Sequence, residues 1–505
     1  MSQPASPATR KAIYENMGKT IESFSPILKE TIIIKEGLDI IKKDNSLNEK
    51  TNKIFDAFLS LYLYVQFMNV ELASVLRACF RANLFPEKRY NLKYINSQIL
   101  EGYKYLYGYG NKRRKSIWVS KVKPLLDIIN EQEFENDYKN LESQIVKFGE
   151  ENIANKEQRD LTFHYDLEPV KVYNMLMELS EETETQRLIR FMDLLQSISS
   201  FISKYIGRYK LNHKIETNSI SKYSFSFSDL DIFQNNKSFF YSSLENSIDS
   251  YAKRLDNFIN HQSIPNQIKQ HFENLDEESI FYINQFIEIE KVAIQLLFLY
   301  IDLASANRAF ISSEYTIEKQ LSLKQINTII YEGLNKLYGF NDKKEDTFWK
   351  KYVYPIISSS IDLSILDEFN VLTQEFNVFE KEMKAFETQR QLSVHYDKGI
   401  VQVYNMLHNL NPIKEFQRAL LLLNFLPKIL NFLTKCLHII DLKQKKYHEK
   451  NMASTNKTIE NILGLLENLP NTSQKEDIIN TLKKIQTGEF FDDIVNRVQK
   501  NKPLS

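Results

Sequence analysis

Two arginines and two histidines stand out by their spacing: Arg159 with His164, and Arg390 with His395, each pair five positions apart. Arginine carries a permanently charged fork that matches phosphate oxygens, and histidine titrates near neutrality, so it can accept or donate a proton. Two of each around one cleft have what metal-independent RNA cleavage requires. One imidazole removes the proton of a ribose 2′-hydroxyl, the other protonates the leaving 5′-oxygen, and the guanidinium groups stabilise charge on the in-line phosphorane. DNA lacks that hydroxyl and would be spared. The alternatives for the same four residues are an Arg/His polar network between domains and, after it, RNA or nucleotide binding without cleavage.

On one continuous helix, positions five apart point about 140° from each other, so a straight helix would not aim both side chains at one point. A break between two helices would. Asp166 and Asp397 read as N-caps of a following helix, because the apolar pattern Val170, Val172, Tyr173, Leu176, Leu179 starts afresh there and Pro169 suits a first turn. The arginine then lies near the end of one helix and the histidine at the start of the next, where free backbone N–H groups favour an anion. Tyr165 and Tyr396, directly after the histidines, are read as core tyrosines with base stacking as the alternative. Asn174 and Asn405 either bond into the same cleft or are satisfied between helices. Two His-x-Asp pairs facing each other are also a set that could bind a metal, although no metal or cofactor is expected.

The elements that would position these residues occur twice. The second motif follows the first by 231 residues (390 against 159, 395 against 164), and Val172 to Leu176 recurs as Val403 to Leu407 at the same offset. So do Leu72-Ala73-Ser74 with Arg77, Glu101-Gly102, Gln186-Arg187, and both tryptophans, Trp118 and Trp349. A gapless match over more than about a hundred residues is a duplication, and its period is far too long for a solenoid repeat. Gly and Pro number only 12 each among 505 residues, which leaves long stretches without breakers and argues for helices. The expected fold is therefore all-α. It has two duplicated helical-bundle domains, 1–213 and 241–441, packed as an intramolecular pseudo-dimer, with a connector at 214–240 and a C-terminal helical extension at 442–505 bearing helices over 457–468 and 474–498. Duplicated copies pack about a pseudo-two-fold when they inherit a self-complementary surface, and that axis would bring both motifs to one cleft.

Charge is balanced, with 65 Lys plus Arg against 65 Asp plus Glu, so any nucleic-acid contact must be a local patch. Lys112-Arg113-Arg114-Lys115 is the one dense basic run of the first copy; a solvated loop is its simpler reading. Arg77 and Arg308, on apolar helices, call for buried acidic partners. The two cysteines, Cys79 and Cys436, read as buried thiols of a reducing compartment. Met1–Lys11 is a Ser/Pro/Ala-rich tail without an apolar core, and the most apolar run, Phe58–Val70, is short of the roughly 20 residues a bilayer requires. A cytoplasmic protein without membrane contact is expected.

Arg-x4-His followed by Tyr-Asp, between two helices of an all-α domain, resembles the HEPN superfamily, whose nuclease members carry a polar residue directly after the arginine. Asp160 fits that position well and Gln391 less well. The tandem arrangement is similar to proteins in which two such domains build one composite active site. The resemblance implies a metal-independent endoribonuclease acting on RNA in toxin or antiviral settings, with Arg159, His164, Arg390 and His395 catalytic. It also implies an antitoxin or an activating partner. Some relatives are inactive interaction proteins, so a non-catalytic binding scaffold is the alternative.

Overall fold

The computed structural model describes residues 6–43, 48–108, 110–152, 168–208, 231–271, 276–339, 346–358, 363–384 and 399–467, together with 479, 480 and 483. Every regular element among them is helical. In the first half these are α1 (Pro7–Lys43), α2 (Glu49–Arg81), α3 (Phe85–Leu106), the short α4 (Leu125–Ile129), α5 (Gln132–Asn152), α6 (Pro169–Glu178) and α7 (Glu181–Ile206). The second half has α8 (Asp231–His271), α9 (Glu277–Ser312), α10 (Thr316–Leu337), the short α11 (Tyr354–Ser358), α12 (Leu363–Lys384), α13 (Ile400–Asn409) and α14 (Pro412–Glu467). Adding 231 to the bounds of α3 and α6 gives those of α10 and α13.

Local signals set many of these bounds. Asn48 caps α2 by accepting from the Lys50 N–H at 2.8 Å, and Ser180 caps α7 through the Thr183 N–H. Glu318 reaches back to the N–H groups of Glu314 and Tyr315 at the start of α10, closing a capping box. α3 and α10 stop at Gly108 and Gly339, whose φ values of 78° and 83° belong to the left-handed region that favours glycine; each donates its N–H back into the last turn. A π-helical turn follows in each half, Trp118–Val122 and Trp349–Val353. It buries the tryptophan completely, Trp118 stacked on Tyr138 at 5.1 Å and Trp349 on Phe369 at 4.9 Å.

Three expectations about the chain's course need correction. The tail is already helical from Pro7, because Ser6 accepts from the Thr9 N–H and Arg10 pairs with Glu181 on α7 at 3.1 Å. The connector is shorter than 214–240, since α8 starts at Asp231. Its Ser/Asn-rich start has weak helix propensity, but Phe240 packs edge-on against Phe416 at 5.9 Å, and tertiary packing outweighs propensity. The C-terminal extension does not begin as a separate hairpin: α14 runs unbroken from Pro412 through Glu467, with neither Gly nor Pro between Pro427 and Gly464 to end it. Most of 468–505, including the expected helix at 474–498, lies outside the described residues.

By contact density the chain forms two compact units, Met1–Gln267 with Glu288–Leu433, and Ile268–Ile287 with Thr434–Ser505. Within the second, Asp276 caps α9 through the N–H and hydroxyl of Ser279 and accepts from Tyr447 at 2.7 Å; these donors lower its carboxyl to about 2. Within the first lies the core that concerns function. Glu49–Arg81 and Pro412–Tyr447 are long and apolar enough to cross a membrane, but 94% of the apolar window of α2 is buried inside the protein, as befits a central core helix.

The α2–α3 and α9–α10 pairs meet through buried ion pairs that repeat in reciprocal fashion. Arg77 binds Glu318 at 2.8 Å, and 231 residues on, Arg308 binds Glu87 at 2.8 Å. Lys93 binds Asp302 at 2.7 Å, and Lys324 binds Glu71 at 2.6 Å. In each of these four bridges the acid comes from the half opposite to the base. Each arginine also lies over a tyrosine from its own half's first helix, Arg77 over Tyr14 at 4.0 Å and Arg308 over Tyr241 at 3.9 Å. The buried partners that the sequence demands for Arg77 and Arg308 are thus present.

Candidate functional site

The motif residues Arg159, Asp160, His164, Tyr165 and Asp166, and Arg390, Gln391, His395, Tyr396 and Asp397, lie outside the described residues. The structure does describe what carries each motif. The first is strung between the end of α5 at Asn152 and the start of α6 at Pro169; the second runs between α12, ending at Lys384, and α13, starting at Ile400. The cap positions of α6 and α13 are Glu168 and Gly399, two residues after the aspartates expected there. Pro169 explains the first: its fixed φ suits the opening helical position, and it excludes the helical region for the residue before it. Gly399 explains the second, since its φ of 102° cannot continue a helix backward.

Both helices that follow the motifs reach onto the opposite half. In α6, Tyr173 donates to Asp256 of α8 at 2.7 Å, and Glu168 stands 3.7 Å from Lys291 of α9. In α13, Asn405 donates to Glu36 of α1 at 3.1 Å. Its neighbours Tyr404 and His408 line a cleft of about 400 Å³ with Ile21, Ser25 and Leu28 of α1. Asn405 thus bonds between helices through its amide N–H, while its buried Oδ1 has no partner, whereas its counterpart Asn174 is exposed. Burial, and then Lys29, push the His408 imidazole down to about 4, so it is neutral at physiological pH.

At the other flank a polar centre recurs in both copies. Arg187 donates to the Asn96 side chain at 2.9 Å and to the carbonyl of Asn152, the last residue of α5, and stands 3.4 Å from Glu184. Arg418 pairs with Glu415, and Asn327 stands beside them. Each of these residues lies 231 after its first-half counterpart. Burial raises the carboxyls of Glu184 and Glu415, and the adjacent arginines oppose it. Arg187 closes a helix end whose free carbonyls would otherwise lack donors, and so fixes where the chain leaves for the first motif. The sequence marks Arg187 as a repeated anchor, but not that it clusters with Asn96 and Glu184, nor that Arg418, Asn327 and Glu415 form the matching set. The signal was there: polar residues retained in register on otherwise apolar helices.

No family model, characterised protein or solved structure matches this chain. Whatever the site does must be argued from its own residues. Among the described residues no group of three or more His, Cys, Asp or Glu side chains stands together as metal ligands. The basic run at 112–115 lies in a short 3-10 turn, Gly110–Lys115, with Arg113 over the Tyr107 ring at 4.1 Å and Arg114 and Lys115 exposed.

Proposed function

We propose that the chain is a cytoplasmic, metal-independent RNA endonuclease of the HEPN type. In this reading its halves pack as an intramolecular pseudo-dimer, and Arg159, His164, Arg390 and His395 share one composite active site. The observation that carries the reading is the crossing of α6 and α13 onto the opposite half. Five residues after each motif histidine a helix begins that is held against the other half, and this supports a common seam for the two motifs. Either histidine then serves as base and the other as acid, while the arginines hold the phosphate. A toxin or antiviral role, and control by an antitoxin or activating partner, follow from the resemblance to that superfamily.

The competing reading is a non-catalytic RNA-binding or interaction scaffold in which the motifs tie the halves together. Against it stands the reciprocal set of buried ion pairs, which locks the halves without any motif residue. The deciding experiment compares the parent with His164→Ala and His395→Ala. The parent is expected to cleave RNA in EDTA and leave 2′,3′-cyclic phosphate ends. Each substitution should lower the rate by roughly 10²–10⁴-fold with little change in melting temperature. A parent with no RNase activity, together with large stability losses in both variants, would establish the scaffold instead.

A further inference from the structure

Helix α12 has two faces. On one, Ile365, Phe369, Leu372 and Phe376 are buried, with Phe369 stacked on Trp349 at 4.9 Å and Phe376 edge-on to Phe425 of α14 at 4.9 Å. At about 100° per residue the opposite side holds Asp367, Val371, Gln374, Val378 and Lys381, all exposed and all within an arc of about 80°. Their spacing of four, three, four and three residues is a heptad seam, the pattern by which one helix meets another. The fold does not need it. Valine is among the weaker helix formers, so Val371 and Val378, 54% and 60% exposed, cost helix stability and bury little in return. The first half shows how such a side looks when water covers it. Shifted by 231, the five positions fall on α5 as Asn136, Asn140, Ser143, Lys147 and Glu150, also all exposed and without one apolar residue. Next to α12 the second half has changed in the same direction, since Leu421 of α14 is 58% exposed where the first half has Arg190.

The order of residues along the seam selects what covers it. It runs acid, valine, glutamine, valine, base, and is therefore complementary to itself when reversed. Among the described residues neither Asp367 nor Lys381 has an ion-pair partner, so both charges are open to another chain. A two-fold axis crossing the seam near Gln374 sets a second copy of α12 antiparallel to the first. Val371 then lies beside Val378 of the second copy and Asp367 comes within reach of its Lys381, each contact occurring twice by symmetry. We propose that the chain self-associates through this face of α12, as an isologous, antiparallel pair of helices with the valines at its centre and the Asp367–Lys381 pairs at its ends. From 367 to 381 the seam spans about 21 Å, so the contact is at the small end of specific interfaces and the dimer is a weak one. No residue of the seam belongs to an Arg/His motif, and self-association does not depend on RNA cleavage.

The test is sedimentation velocity of the full chain over a micromolar range of concentrations. The parent is expected to pass from monomer to dimer as concentration rises. Val371→Asn/Val378→Lys takes the residues that α5 carries at those positions and should leave a monomer with an unchanged melting temperature. Asp367→Lys alone, and Lys381→Asp alone, set like charges against each other across the two-fold and should each weaken association at least about tenfold. Asp367→Lys/Lys381→Asp in one chain makes the charges opposite again, and association should return to that of the parent. A parent that stays monomeric, a valine variant that still dimerises, or a double charge exchange that fails to restore the dimer would each overturn the proposal.

Discussion

At the contact of α2–α3 with α9–α10 the two halves carry matching charges at matching positions, whereas several positions away from it differ in kind. Arg77 and Arg308, Glu87 and Glu318, Lys93 and Lys324, Glu71 and Asp302 are all in register. Elsewhere Leu59 faces a counterpart in Glu290, Thr185 in Phe416, and Lys147 in the exposed Val378. The difference teaches where the two copies constrain each other. Each buried pair takes one residue from either half, so neither copy can change its charge alone without stranding the partner in a low-dielectric interior. Peripheral positions answer only to their own half, and there each copy can take on a separate task.

The sharpest way to break this comparison is to remove one arginine at a time. Arg308→Ala leaves Glu87, 4% exposed, with backbone donors at Asn83 and Leu84 in place of its buried cation, and should cost about 3–5 kcal/mol in denaturant unfolding. Arg77→Ala should cost less. Glu318 keeps Arg81 at 3.4 Å and two backbone donors, so the symmetry of the pairs is not a symmetry of consequences. Losses below about 1 kcal/mol in both variants would mean that these bridges behave as exposed ones do and do not bind the halves.

A second test concerns a position where the copies differ in charge. Glu290 is 1% exposed, its Oε2 has no hydrogen-bond partner, and burial alone pushes its carboxyl from the ordinary 4.5 up to about 7. Between those values the folded state holds a proton that the unfolded state has lost, so this group lowers stability progressively as pH rises through that window. The shift of 4.5 to about 7 corresponds to roughly 3 kcal/mol of destabilisation above neutrality. Glu290→Leu restores the residue found at the matching position, where Leu59 packs with Leu38 and Phe55. It should raise stability at pH 8 by that order and by little at pH 4. Unfolding curves that show no pH-dependent gain would mean the carboxylate is compensated after all.

How far the sequence disclosed this molecule follows the same division. Helical class could be read from the scarcity of breakers, the duplication from the shared offset of both tryptophans, and buried acids for Arg77 and Arg308 from the apolar helices that carry them. That each acid would come from the opposite half could not be read, because periodicity within one helix says nothing about which helix faces it. Glu87 and Glu318 were nevertheless in register and so detectable in principle. The start of α8 was missed because its residues are poor helix formers locally and are held by distant aromatic contacts. The caps were misplaced by two residues because aspartate favours a cap strongly, yet Pro169 fixes the helix start more rigidly than any side-chain hydrogen bond. The Arg/His motifs remained legible only as a repeated pattern, and the structure contributes their flanks: the Arg187 centre ahead of the first, and α6 and α13 after the two.

The smallest expected effect sharpens the comparison most finely, because it uses two asparagines that the sequence treats as equals. Asn405 donates to Glu36 across the halves, while Asn174 is exposed at the matching place. Asn405→Ala should therefore cost about 1 kcal/mol, the net value of one such hydrogen bond, and Asn174→Ala should stay within about 0.5 kcal/mol of the parent. The same variants assayed for RNA cleavage separate two roles. If Asn174→Ala lowers the rate while leaving stability unchanged, that side chain faces the substrate beside the first motif. If only Asn405→Ala lowers it, and in proportion to its loss of stability, the asparagine acts by holding α13 against α1, and the second motif depends on the first half for its position.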